Sequence, residues 1–208
     1  RGKGDKIFIN TTGFGEVHPK ANIAVKNIRA GDKILVNGPI AQHGMAIMSE
    51  REGLEFESEI LSDTNNLNGL VLKLLNEFDE NIHFLRDPTR GGLASVLSEI
   101  AVDANVGIEI FEELMPIEKQ VAAACEMLGL DPLYVANEGR FVAFVPASEQ
   151  QAALSILRQH SVSADACCIG RVDALTESDQ RAMVRAQTSI GGQRVLDLPS
   201  GESLPRIC

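Results

Sequence analysis

Between Ile82 and Asp103 an apolar strand, a polar glycine turn and an amphipathic helix follow one another without an intervening linker. Ile82-His83-Phe84-Leu85-Arg86 has strand character, and Asp87-Pro88-Thr89-Arg90-Gly91-Gly92 has turn chemistry. From Leu93 the apolar residues Leu93, Val96, Leu97, Ile100 and Ala101 fall on one helical face. Such a unit demands a sheet for the strand and a place on that sheet for the helix. Two glycines at the junction either let backbone come close to a ligand or simply make the turn. If a ligand is there, unpaired N–H groups at the helix start and the fork of donors on Arg90 suit phosphate oxygens.

The flanking sequence supplies the other elements of a single α+β domain. Lys6 to Thr12 has strand content and is closed by Gly13-Phe14-Gly15. A turn at Ile28–Asp32 leads into a strand at Lys33–Asn37, then Gly38-Pro39, then a strand-to-helix junction with His43 near the helix start. Ser62, Asp63, Thr64 and Asn65 are N-cap candidates for a helix that buries Leu67, Leu70, Val71, Leu74 and Leu75 and runs to about Phe78. Ile108–Phe111 alternates as a strand. Pro116 suits the first turn of a helix that turns Ile117, Val121, Ala124, Cys125 and Leu128 inward and stops at Gly129. Phe141–Val145 is apolar throughout, as in a strand buried on both faces. A helix from Ser148 to His160, strands at Ala166–Val172 and Met183–Ala186, and a turn at Ile190–Gln193 before Arg194-Val195-Leu196 complete the reading.

Composition narrows the partners. With 208 residues and 44% hydrophobic side chains the chain can bury a sizeable core, and a net charge of -10 argues against nucleic acid or an anionic membrane as partner. No apolar run reaches the length of a membrane span. Cys125, Cys167, Cys168 and Cys208 show no CxxC spacing, which suggests a reducing, cytoplasmic setting; Cys125 and one of Cys167 and Cys168 are expected in the core. No metal site is evident.

Three residues outside the glycine turn stand out chemically. Glu138, in Asn137-Glu138-Gly139, is a carboxylate at the mouth of the Phe141–Val145 strand with a glycine beside it for access; it serves either as a base or as one arm of a salt bridge. His43 either faces a ligand or caps backbone groups. Cys208 ends a run with two prolines and a glycine, Leu196 to Pro205, that disfavours helix, so its thiol sits at the tip of an extended arm able to accept a group in one place and present it in another.

The stretches Asp87-Pro88-Thr89-Arg90-Gly91-Gly92, Ala136-Asn137-Glu138-Gly139, Leu196-Asp197-Leu198-Pro199 and Pro205-Arg206-Ile207-Cys208 together resemble the HypE family of hydrogenase maturation proteins, ATP-dependent enzymes of the PurM-like superfamily. The resemblance runs over essentially the whole chain, and its most specific part is the Pro-Arg-Ile-Cys ending. It implies a PurM C-terminal-domain-like α/β sandwich, a mixed sheet covered by helices. Residues 1–15 would be the remnant strand of an N-terminal ATP-binding domain, 16–198 the domain itself, and 199–208 a flexible tail. The implied activity is a carbamoyl dehydratase. The terminal cysteine receives a carbamoyl group from the carbamoyltransferase HypF, the S-carboxamide is dehydrated to a thiocyanate at the expense of ATP, and the cyanide goes to iron on a HypC–HypD complex for the [NiFe] centre. The implied catalytic residues are Cys208, Glu138 and His43; Asp87, Thr89, Arg90, Gly91, Gly92 and Asn137 lie near the nucleotide. In the family His43 belongs to an Asp-His-Gly triplet, and here the acid is Gln42. The family's ATP and Mg2+ site sits mostly on the N-terminal domain, which also builds a homodimer. From the start at Arg1 and the absence of that domain's acids, the expectation is a C-terminal portion inactive by itself. The other readings are a non-catalytic docking or carrier module and another PurM-like ATP-dependent ligase or kinase.

Overall fold

A computed structural model describes residues 12–53, 59–176 and 181–198. The strand expected at Lys6–Thr12 (Thr12 apart), most of the 1–15 remnant, and the 199–208 tail with Cys208 lie outside the described residues.

Seven strands form one sheet: β1 (Lys33–Val36), β2 (Phe84–Arg86), β3 (Gly107–Phe111), β4 (Val142–Val145), β5 (Cys167–Asp173), β6 (Met183–Gln187) and β7 (Gln193–Leu196). Their order is β2-β4-β1-β5-β3-β6-β7, and every pairing is antiparallel except β3 with β6. Among the described residues the α-helices are α1 (Gln42–Glu52), α2 (Asn68–Phe78), α3 (Gly92–Ala104), α4 (Lys119–Leu128) and α5 (Gln150–Leu157).

Strand alternation sorts the core onto the two faces of the sheet. Ile34 and Val36 point to one side, where Val142, Phe144, Ile108 and Ile110 meet Leu93, Leu97 and Ile100 of α3. Leu35 points to the other, where Ala143 and Val145 meet Leu70 and Leu74 of α2 and Leu154 and Leu157 of α5. Every residue of β4 is buried although only β2 lies between it and the sheet edge, which accounts for its unbroken apolar sequence. A third cluster joins Met45 of α1 to Val121, Ala124 and Cys125 of α4. At the β1–β5 pairing the register shifts between Ile34 and Leu35, and a Cβ on Gly170 would lie 2.2 Å from the Glu109 carbonyl oxygen, so only glycine allows β3 to approach β5 there.

Two expected helix starts shift. Helix α2 begins at Asn68 with Leu67 as its flanking residue and no side-chain cap, because the polar side chains at 62–65 are used elsewhere. Helix α4 begins at Lys119 rather than around Pro116, whose carbonyl instead accepts the Ile40 N–H at 2.9 Å and ties the approach to α4 to the approach to α1. Cys125 is buried as expected, whereas neither Cys167 nor Cys168 is a core residue: both are half-buried and pack against the core on opposite faces of the sheet. Among the described residues no helix is long and apolar enough to cross a membrane.

Candidate active site

Asn137 is the hub of the loops at the start of α3. Its amide donates to the carbonyls of Pro88 at 2.9 Å and Val135 at 3.2 Å, while its Oδ1 accepts the Ala41 N–H at 2.8 Å. The side chain is wholly buried. Three segments distant in sequence, the Asp87–Gly92 turn, the 135–140 loop and the entry to α1, are therefore joined at one point. These bonds use Asn137 as a brace inside the protein.

The Asp87–Gly92 turn hands β2 to α3. Gly91 caps the helix with φ 71°, and Gly92 has φ 64°. A Cβ on Gly92 would sit 2.6 Å from the carbonyl oxygens of Leu133 and Val135, so close packing against that loop is sufficient reason for glycine there. A Cβ on Gly91 would meet the Ser95 hydroxyl at 2.2 Å. That hydroxyl is buried without a hydrogen-bond partner within the first turn of α3. Asp87 and Arg90 are exposed at the rim, with Thr89 half-buried between them.

Glu138 stands at the mouth of the 135–140 loop, partly exposed, and its backbone is held from behind. The Glu138 N–H donates to Asp63 Oδ1 at 3.0 Å and the Gly139 N–H to the same oxygen at 3.4 Å. Gly139 fits closely, for a Cβ there would fall 1.8 Å from the Asp63 carbonyl oxygen. Arg140 Nε lies 3.7 Å from the second Asp63 oxygen, and both side chains are buried. The guanidinium donates through Nε to Pro39 O, through one Nη to Gly139 O and Val162 O, and through the other to Gln42 Oε1. Burial pulls the Arg140 pKa down, and Asp63, Glu118 and Asp165 oppose that pull.

His43, in the first turn of α1, directs Nδ1 at the Ser62 hydroxyl, 2.9 Å away; that hydroxyl in turn meets Thr64. His43 thus joins α1 to the segment that carries Asp63. The structure gathers Glu138, Asn137, His43 and the Asp87–Gly92 turn around connected loops, whereas Cys208 lies outside the described residues. Asp63 and Arg140 are the residues missed as site components in the sequence. Asp63 was hidden among plausible helix caps, and the only signal for Arg140 was a basic residue directly after Glu138-Gly139 on the way into a fully apolar strand.

Asp197 is held on both its backbone and its side chain. Tyr134 donates its hydroxyl to the Asp197 carbonyl at 3.0 Å, and Arg181 pairs with the Asp197 carboxylate at 2.8 Å. Since the backbone around Tyr134 abuts Gly92, Asp197 is tied to the loops at the Asp87–Gly92 turn.

A family profile described as "AIR synthase related protein, C-terminal domain" matches residues 29–179. The carbamoyl dehydratase HypE of Bradyrhizobium diazoefficiens is 46% identical over 208 residues, all of this chain and 59% of that protein. Among solved structures, hydrogenase maturation protein HypE in complex with ATP superposes with a TM-score of 0.84 at 41% identity, covering 89% of this chain and 55% of that one. A HypE–HypF complex superposes with a TM-score of 0.82 at 43% identity, covering 88% and 58%. The chain thus spans about 59% of the length of the curated relative it matches.

Proposed function

Since this chain belongs to the family of AIR synthase related proteins through their C-terminal domain, we propose that it works within a carbamoyl dehydratase of [NiFe]-hydrogenase maturation, carrying the substrate on Cys208 and presenting the base that deprotonates it. The observation that carries this reading is the 46% identity to a carbamoyl dehydratase over the whole chain, from the loops around Glu138 to the terminal cysteine. Cytoplasmic HypF supplies the carbamoyl group, in keeping with the HypE–HypF complex among the similar structures. A HypC–HypD complex takes the product, and the protein acts as a homodimer at the full length of its relatives.

The chemistry fits the residue types. A carboxamide on the Cys208 sulfur cannot expel its own oxygen; transfer of the γ-phosphoryl group of ATP to that oxygen, with release of ADP, makes phosphate the leaving group. Loss of both protons from nitrogen and of phosphate from carbon leaves a thiocyanate on sulfur. Glu138, a partly exposed carboxylate at the mouth of its loop, accepts a proton from the nitrogen. His43, bonded to the Ser62 hydroxyl on the segment that carries Asp63, is the proton relay that the family resemblance implies. The start of α3, with the orphaned Ser95 hydroxyl behind Gly91, suits a phosphate oxygen or the arriving tail; Asp87, Thr89 and Arg90 line the rim and Asn137 holds the turn in shape. ATP and Mg2+ are held mostly by the N-terminal domain that the family resemblance implies.

Intact mass of the protein, at the full length of its relatives, tests this after incubation with HypF, carbamoyl phosphate and ATP. The expected result is a gain of one carbamoyl mass followed by loss of one water, both abolished by Cys208→Ala. No adduct on Cys208 would overturn the reading.

A further inference from the structure

Behind Glu138 lies a chain of polar contacts that runs from the protein surface to the loop itself. Glu118 Oε1 accepts from the Gln42 amide at 2.8 Å, Gln42 Oε1 accepts from Arg140 at 2.8 Å, Arg140 lies 3.7 Å from Asp63, and Asp63 accepts from the Glu138 and Gly139 N–H groups. The contacts surround a cavity of about 270 Å³ that Asp63, Glu118, Arg140 and Asp165 help to line. The Phe141–Val145 strand is fixed by its pairing with β1 and β2 and by Asn37, whose side chain bonds both Phe141 N and Gly139 O. The buried Asp63 and Arg140 lie beyond that strand's start, against the loop that carries Glu138.

We propose that Asp63 is a positioning residue for Glu138, with Arg140 holding Asp63 in place. This inference rests on Glu138 being the base of the proposed dehydration. A single carboxylate oxygen collects two consecutive N–H groups and fixes the plane of the peptide that joins Glu138 to Gly139, and hence the direction in which the Glu138 side chain leaves the loop. The second oxygen has no hydrogen-bond partner and faces the guanidinium, so charge attraction presses Asp63 against the loop. Gln42 answers Arg140 with a neutral oxygen and directs its amide toward Glu118, which leaves Asp63 the nearer carboxylate to Arg140 Nε.

The test is a steady-state comparison of dehydration and carbamoylation at the full length of the relatives, for Asp63→Ala, Asp63→Asn and Arg140→Lys. Asp63→Ala is expected to lower kcat for dehydration ~100-fold, as misplacement of a reacting group by an ångström does, while KM for ATP stays within about twofold and carbamoylation of Cys208 by HypF is unchanged. Asp63→Asn, whose amide oxygen still accepts both N–H groups, recovers most of that loss. Arg140→Lys, which keeps a positive charge but not the fork of bonds, falls ~10-fold and reads out the same dependence should Asp63→Ala not fold. Wild-type kcat per folded molecule in Asp63→Ala or Arg140→Lys overturns the inference. So does a parallel fall of carbamoylation and dehydration, which marks a merely structural role. A wild-type protein that accepts the carbamoyl group and never dehydrates it overturns the proposed function itself, and this inference with it.

Discussion

Two buried acid–base pairs brace two turns of this protein, and they differ in what the partner can do. Asp32 accepts the Arg29 N–H at 2.9 Å and faces His83 Nδ1 at 2.8 Å, with His83 pinned through its own backbone to Phe144 and Ala24. Asp63 accepts two N–H groups of the Glu138 loop and faces Arg140. An imidazole can give up its proton and remain as a neutral hydrogen-bonding partner; a guanidinium cannot. The first pair therefore tolerates loss of the acid, and the second leaves a stranded charge. The permanently charged brace is found beside the accessible carboxylate, the adaptable one under the edge of the sheet.

Denaturant titration of Asp63→Ala and Asp32→Ala attacks this contrast directly. Loss of Asp63 is expected to cost about 3–5 kcal/mol, because Arg140 is left buried without its acid. Loss of Asp32 is expected to cost about 1–3 kcal/mol, the penalty for an unmade hydrogen bond at the buried His83 side chain. Equal losses would show that the two braces do not differ in this way. The double substitution Asp63→Asn with Arg140→Met sharpens the point: removing both charges is expected to recover at least about 1 kcal/mol relative to Asp63→Ala.

Alkaline pH separates the regions by another route. Burial, with Asp131 adding to it, pushes the Cys125 thiol up to about 11 from 9.0 in the α1–α4 cluster behind Gln42, and burial does the same for Cys167 in β5. A raised thiol pKa means that the folded state keeps protons that the unfolded state releases. The stability these thiols contribute is thus fully present below pH 9.0 and is lost as pH rises through about 11. Denaturation midpoints measured across that window should fall, and Cys125→Ala should flatten the decline. The smallest effect belongs to His43→Ala, about 0.5–1 kcal/mol for one partly exposed bond to Ser62. A larger loss would place His43 within the Asp63 brace rather than beside it.

Much of the fold could be seen in the sequence because apolar periodicity is a local signal. The strand-turn-helix at 82–103, the strand at 141–145 and the glycine stop at 129 all follow from residues within a turn or two of one another. The order of the strands does not, since β2 reaches β4 and β1 reaches β5 across more than fifty residues of chain. The candidate site divides in the same way. Glu138, His43 and the glycine turn carry their chemistry in adjacent residues. The role of Asp63 depends on N–H groups 75 and 76 positions away, which overrode its plausible place as a cap for α2. Arg140 carries no local signal beyond its charge, and the fit of its guanidinium against Gly38, where a Cβ would lie 3.0 Å away, depends on a residue about a hundred positions distant.

The Gln42–Glu118 contact has a bearing on inheritance. An aspartate at position 42 would bring one carboxylate against Glu118, 2.8 Å from the present amide, and would compete with Asp63 for Arg140. Positions 42 and 118 should therefore change as a couple, each residue acceptable or harmful according to the other, and grafting either alone between related proteins should break a site whose chemical groups are all still present.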